Sequence, residues 1–202
     1  LEEALGETTR MAELVDQLLT LARADEGRFD IHREPVPLGP LVREVFETAI
    51  ILGESSGLSV SLPVVEDATV MGDHGRLPQL LLNLVTNAIK YTPRDGSVEV
   101  SLTRRVGAVT LSVRDTGIGI SGADLPHIFE RFWRADRVRS RLSQRGGFGL
   151  GLAISQWIAQ AHGGTPTVQS RLGRGTVFTL SLPLPADGGR APPDQAEAAD
   201  LL

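Results

Sequence analysis

Two asparagines, Asn83 and Asn87, stand four residues apart in the leucine-rich stretch QLLLNLVTNAIKYT, with Lys90 three residues further on. Lys90 is the only lysine; the chain has 20 Lys plus Arg, so the other 19 are arginines. At about 100° per residue, Leu77, Leu81, Leu84, Val85 and Ala88 share one helix face. Arg76, Gln79, Asn83, Asn87 and Lys90 fall within about 80° on the other. Asparagine costs a helix about half a kcal/mol relative to alanine, so two in line imply that their amides are used. An amide oxygen is a hard, neutral ligand of the kind Mg²⁺ accepts beside water and phosphate oxygens. A lysine one turn on offers phosphate a point charge. On this helix alone, two hydrogen-bonded surface asparagines explain the pattern at least as well.

Two glycine-bearing stretches add to it. DTGIGI, Asp115 to Ile120, follows directly on a predicted strand. A carboxylate at a strand end can accept from an exocyclic amino group, and Gly117 and Gly119 let backbone approach a ring closely. Alone, such a turn is common. GGFGLGL, Gly146 to Leu152, opens a predicted helix, where exposed backbone N–H groups suit an anion. It is not a dinucleotide fingerprint, because it follows a loop rather than a strand, and no Gly-Lys pair of a P-loop exists. Six arginines lie between Arg131 and Arg145. With a formal net charge of −5 and no second basic patch, the chain is not read as a nucleic-acid binder.

These residues need a frame. Leu1 to about Gly27 reads as a helix, with Met11, Leu14, Leu18 and Leu21 as an a/d seam. Roughly two heptads are too few to stand alone, so the pattern predicts a partner helix or a second copy; packing on its own domain is the alternative. A proline-rich linker or edge segment follows, then a helix from about Pro40 to Gly53 and strands in LSVSLP and ATVMGD. The asparagine helix spans about Gly75 to Tyr91. Val98, Val100, Leu102 and then Val109, Leu111, Val113 predict a hairpin. A short helix is expected over Pro126–Phe132, a mobile loop from Arg134 to Gly147, and a helix from Leu150 to about Ala161. TPTVQS and GTVFTLSLPL close the strand set, and the Pro-, Gly- and acid-rich residues 186–202 read as a disordered tail. The fold class is α+β: a two-layer sandwich of one mixed, mainly antiparallel sheet, covered on one face by helices and preceded by one helix.

Composition sets outer bounds. A hydrophobic content of 41% is that of a globular protein. Without cysteine there is no disulfide and no thiolate metal site. No apolar run approaches the ~18 residues of a membrane span, and no signal peptide is visible. The start at Leu1 predicts a fragment of a longer chain.

In order, NLVTNAIKYT, DTGIGI, FERFWR, GGFGLGL and GRGTVF resemble the ATP-site boxes and closing strands of bacterial sensor histidine kinases, from about Val36 to Pro183. The wider group of that fold includes the gyrase, Hsp90 and MutL ATPases. RMAELVDQLLTLARADEG is similar to the end of the second helix of the kinase dimerisation hairpin. The resemblance divides the chain into hairpin helix (1–27), linker (28–35), catalytic domain (36–185) and tail. It implies that Asn87 ligates Mg²⁺ with Asn83 in support, that Lys90 meets phosphate, and that Tyr91 stacks near adenine. It implies that Asp115 takes the adenine amino group in a pocket shaped by Gly117 and Gly119. Phe129 and Phe132 would hinge a lid from which Arg134 reaches the transferred phosphate. Gly147, Gly149, Leu150 and Gly151 would meet the phosphates.

The implied activity is transfer of the ATP γ-phosphoryl group to a histidine, then relay to a response regulator, by a homodimer with its catalytic part in the cytoplasm. Two departures stand out. Phe148 occupies the place of the usual lid threonine. None of His32, His74, His127 and His162 has the setting of the phospho-accepting histidine. Two alternatives follow: a degenerate nucleotide-binding relay module without kinase activity, and an ATPase of the wider group.

Overall fold

The computed structural model describes residues 2–25, 31–134 and 148–185. Gly147, the expected loop after Arg134, the expected tail and the first part of the expected linker lie outside them. A five-stranded sheet forms the frame. Its order is β2 (Ser59–Val65), β4 (Ser97–Arg105), β5 (Ala108–Asp115), β7 (Gly175–Pro183) and β6 (Thr165–Arg171). β2 is parallel to β4; the other neighbours are antiparallel.

The two-residue alternation puts Val98, Val100, Leu102, Val109, Leu111, Val113, Phe178, Leu180 and Leu182 on one face, all buried. Helices α2 (Leu38–Ser56), α3 (Arg76–Tyr91) and α4 (Gly151–Ala161) cover that face, with α3 packed between the other two. The opposite face is Ser101, Thr103, Ser112 and Thr179, half-buried by their own neighbours. The expected one-sided sandwich is the observed one.

One expectation narrows and two change. The segment read as a linker or edge segment holds an edge strand, β1 (Glu34–Pro37), antiparallel to β3 (Thr69–Gly72) in a separate two-stranded ladder. Pro35 and Pro37 stand two apart, so both missing N–H groups lie on the same side of the strand and need not interrupt the ladder. The helix expected to stop at Gly53 continues to Ser56. Gly53 lies inside α2 where a Cβ would overlap the Val60 side chain, and the left-handed Gly57 (φ 73°) ends the helix. The helix expected over Pro126–Phe132 is one 3₁₀ turn, Leu125–His127. Phe132 has φ 62°, which no helix accommodates.

The first helix, α1 (Glu2–Asp25), touches α4. Leu21 is buried and Leu14 packs on the core, while Met11, Val15, Leu18 and Leu19 remain exposed. One end of the seam therefore packs on the domain, and the rest is an apolar strip that no described residue covers.

Candidate functional site

α3 turns Leu77, Leu80, Leu81, Leu84, Val85, Ala88 and Ile89 into the core and leaves Asn83, Asn87 and Lys90 half-buried on its other side. Asn83 Nδ2 donates to the Gly151 carbonyl oxygen at 3.3 Å. That bond joins the asparagine helix to the first residue of α4. The Asn87 side chain, one turn along, has no hydrogen-bond partner among the described residues. Lys90 Nζ lies 5.0 Å from the centroid of the Tyr91 ring. Such a cation–π contact is worth about 0.5–1 kcal/mol when exposed, little enough for a phosphate to displace.

β5 ends in Asp115, which is 7% exposed. Its Oδ1 accepts the N–H groups of Gly117 at 2.8 Å and Thr176 at 3.1 Å. Oδ2 has no partner among the described residues and is open to one more donor. Burial raises the Asp115 pKa above its ordinary value, against the lowering effect of the two N–H groups. The turn after it is stitched on both sides. Ile118 N–H donates to the Tyr91 carbonyl at 3.1 Å, and Gly173 N–H donates to the Ile118 carbonyl at 2.7 Å. Gly119 holds φ 65°, and a Cβ there would overlap the Arg171 carbonyl.

Two residues here carry roles that the motif reading did not assign. Gly175 lets β7 start directly against Asp115; its φ is 94° and a Cβ would overlap the Asp115 carbonyl. Thr176, buried, supplies one of the two N–H groups on Asp115. A glycine at a strand start is a signal of close backbone approach, but nothing in the spacing says which strand it approaches.

The lid ends meet. Phe132 N–H donates to the Gly149 carbonyl at 3.0 Å. Phe132 is exposed with positive φ, a strain that persists where surrounding structure enforces it and that gathers at functional sites. Phe129 packs edge-on against Phe178, 6.5 Å between centroids, so it belongs to the core wall rather than the pocket surface. Leu150 is fully buried, backbone included, and its carbonyl oxygen accepts the Ile154 N–H at 2.9 Å. Phe148 also packs against the core.

At the start of α4, a Cβ on Gly151 would meet nothing closer than Asn83 Cγ at 3.9 Å. Internal packing does not explain that glycine; it leaves room beside the helix start. Arg134 Nε and Nη2 are buried without a hydrogen-bond partner among the described residues. Buried donor nitrogens without an acceptor are costly, and an anion would relieve them.

The structure thus joins Asn83 to Gly151, Asp115 to Gly117, Tyr91 to the Gly117–Gly119 turn, and Phe132 to Gly149. Among the described residues no three His, Cys, Asp or Glu side chains gather as a metal cluster. A divalent ion in this pocket would rest on an amide oxygen and on ligand phosphates, which suits Mg²⁺.

A buried strand-end carboxylate, an asparagine helix tied to a glycine-opened helix and a one-sided sandwich behind them set the chain outside the P-loop and Rossmann classes. The family model described as "Histidine kinase-, DNA gyrase B-, and HSP90-like ATPase" matches residues 72–186. The sensor-like histidine kinase SenX3 of Mycolicibacterium smegmatis is 35% identical over 182 residues, 90% of this chain and 47% of that protein. The sensor histidine kinase YkoH of Bacillus subtilis is 38% identical over 194 residues, 94% of this chain and 41% of that protein. The crystal structure of full-length ShkA in complex with AMPPNP has a TM-score of 0.79 at 32% identity, over 96% of this chain and 40% of that one. The chain spans about half the length of the SenX3 relatives it matches. It belongs to the histidine kinase-, DNA gyrase B- and HSP90-like ATPase family, as the ATP-binding catalytic domain of a sensor histidine kinase.

Proposed function

We propose that this domain binds Mg-ATP between α3, the Asp115 turn and the start of α4, and phosphorylates a histidine on a hairpin helix belonging to the rest of the protein. ATP supplies the γ-phosphoryl group, which passes from the bridging oxygen to an imidazole nitrogen and leaves ADP. Asp115 Oδ2 accepts the adenine amino group while Gly117 and Thr176 hold the carboxylate still. Asn87 offers its amide oxygen to Mg²⁺, and Asn83 keeps α3 against α4. Lys90 and Arg134 neutralise phosphate charge, and the backbone from Gly147 to Gly151 gives it N–H donors. Tyr91 flanks the base, and Phe129 and Phe132 anchor the lid. Phosphoryl transfer needs such positioning and charge neutralisation more than covalent help from the protein.

The observation that carries this reading is the Asn83–Gly151 bond, which unites the amide helix and the glycine-opened helix while Asn87 stays unpartnered. The domain partition suggested by sequence, with α1 as the end of a dimerisation hairpin, fits the exposed strip on α1. The partners are then that hairpin, a second copy of the protein and a response regulator whose aspartate takes the phosphoryl group. No described helix is long and apolar enough to cross a membrane, and ATP chemistry sets the domain in the cytoplasm. No geometry favours the non-catalytic alternative.

The test uses the chain in hand. Calorimetric titration with AMPPNP is expected to show binding that requires Mg²⁺. Incubation with γ-labelled ATP is expected to leave the chain unlabelled, and restoring the upstream hairpin helix to yield acid-labile label. Absence of nucleotide binding, or acid-labile label on the isolated chain, overturns the reading.

A further inference from the structure

His162 has no place in the nucleotide chemistry, yet it is 3% exposed and fully engaged. Its Nδ1 lies 2.7 Å from the Ile158 carbonyl oxygen, and its Nε2 lies 3.0 Å from the backbone N of Asp73. A carbonyl can only accept and an N–H can only donate, so the ring must be neutral with its proton on Nδ1. Burial lowers the His162 pKa; the Ile158 carbonyl and Asp73 oppose that, and Arg33 adds to it. Asp73 is engaged in turn. Its Oδ1 accepts the N–H groups of Gly75 at 2.8 Å and Arg76 at 3.0 Å, which start α3. Its Oδ2 accepts the N–H of His32 at 3.3 Å, in the segment that follows α1. Arg33 Nη2 donates to the Ala161 carbonyl, 2.8 Å away, at the C-terminus of α4, where a cation meets the negative end of the helix dipole.

Three segments therefore converge on one pair of side chains: the start of α3, the end of α4, and residues 32–33 of the linker. The same two helices meet again at the pocket, through Asn83 and Gly151. From His162 back to Gly151 is about 16 Å of helix at 1.5 Å per residue. α4 is thus pinned at both of its ends, to the start and to the middle of α3, and rotation or sliding at the far pin moves Asn83 and Asn87 relative to the start of α4.

We propose that Asp73 and His162 are positioning residues, a pin through which the linker sets the alignment of α3 and α4, and with it nucleotide affinity. This rests on the ATP reading above. His32 and Arg33 carry the position of the linker into the pin. Nucleotide at the pocket end and the linker at the far end are then coupled, and the coupling is reciprocal.

Titration of the 202-residue chain with AMPPNP and Mg²⁺ tests it. Wild-type binding is the control: its absence defeats the ATP reading, not the pin. His162→Leu is expected to bind about tenfold more weakly at a temperature well below its melting point. His162→Gln retains an acceptor for the Asp73 N–H and is expected to stay within about twofold of wild type. Arg33→Gln is expected to weaken binding about threefold. A folded His162→Leu with wild-type affinity overturns the pin, and wild-type affinity in Arg33→Gln overturns the part of the linker. Hydrogen exchange on the unaltered protein is the second measurement. AMPPNP should slow exchange of the Asp73, Gly75 and Arg76 amides; unchanged exchange there overturns the coupling even if His162→Leu does not fold.

Discussion

The two ends of the pocket are built on opposite terms. At the Asp115 end, one carboxylate oxygen is bound by two backbone N–H groups, the turn is stitched to α3 and to the β6–β7 connection, and glycines allow backbones to touch. At the start of α4 and along the asparagine helix, the Asn87 side chain and two nitrogens of Arg134 lack partners among the described residues, and Gly151 borders open space. The first end is completed by folding. The second keeps polar groups that folding leaves unused, which the proposed nucleotide would engage. Substitutions at the first should therefore strike stability and binding together, and those at the second should strike binding while sparing or improving stability.

The largest expected effect is at Asp115. Asp115→Ala strands two buried N–H donors and should lower unfolding free energy by about 2–4 kcal/mol in urea melts while abolishing nucleotide binding. Asp115→Asn keeps an acceptor for those donors but presents an amide N–H₂ to the adenine amino group. It should fold, with affinity lower by on the order of 100-fold. An Asn variant that binds like wild type would break the contrast.

The pH dependence follows from the raised Asp115 pKa. Nucleotide affinity should fall as pH drops through that pKa, because the protonated carboxyl accepts poorly. The stability term has the opposite sign. The folded state takes up this proton at higher pH than the unfolded chain, so protonating Asp115 favours folding, and the advantage is lost as pH rises through the folded pKa. Affinity and melting curves measured against pH on wild type and Asp115→Asn check both; the variant should lack the Asp115 contribution to each.

Asn87→Ala sharpens the other side. Affinity in Mg²⁺ should drop tenfold or more to the Mg-free level, while stability holds or rises by about 0.5 kcal/mol from helix propensity. A destabilised Asn87→Ala would show that its amide serves the fold. The smallest effect is Gly151→Ala. The helix should gain up to about 1 kcal/mol, and the methyl group in the open space should weaken AMPPNP binding a few-fold. Equal affinity would mean that the space beside α4 is not ligand space.

The same division shows in what could be read beforehand. Strict two-residue alternation in Ser97–Arg105 and Ala108–Asp115, and the 3.6-residue period of α3, are local patterns imposed by a single apolar layer, so the sheet, its covered face and the asparagine helix were legible. Turn and cap chemistry was less so. Gly53 looked like a helix stop, and only its contact with Val60 on β2 shows why a glycine belongs inside α2. Prolines left the stretch over Glu34–Pro37 open between linker and edge segment, because their tolerance depends on which side of the strand they face.

The sequence by itself determined the residue types and the order of the motifs, because the proposed Mg-phosphate site calls for amides, cations and glycines that a merely packed helix does not select. Only the tertiary structure decided their partners. Asp115 meets Thr176, Asn83 meets Gly151 and Asp73 meets His162 across separations of 61, 68 and 89 residues. No local period encodes such pairs. They arise when the sheet order and the antiparallel packing of α3 on α4 bring distant backbone groups within hydrogen-bonding reach, and burial then requires each of them to be satisfied.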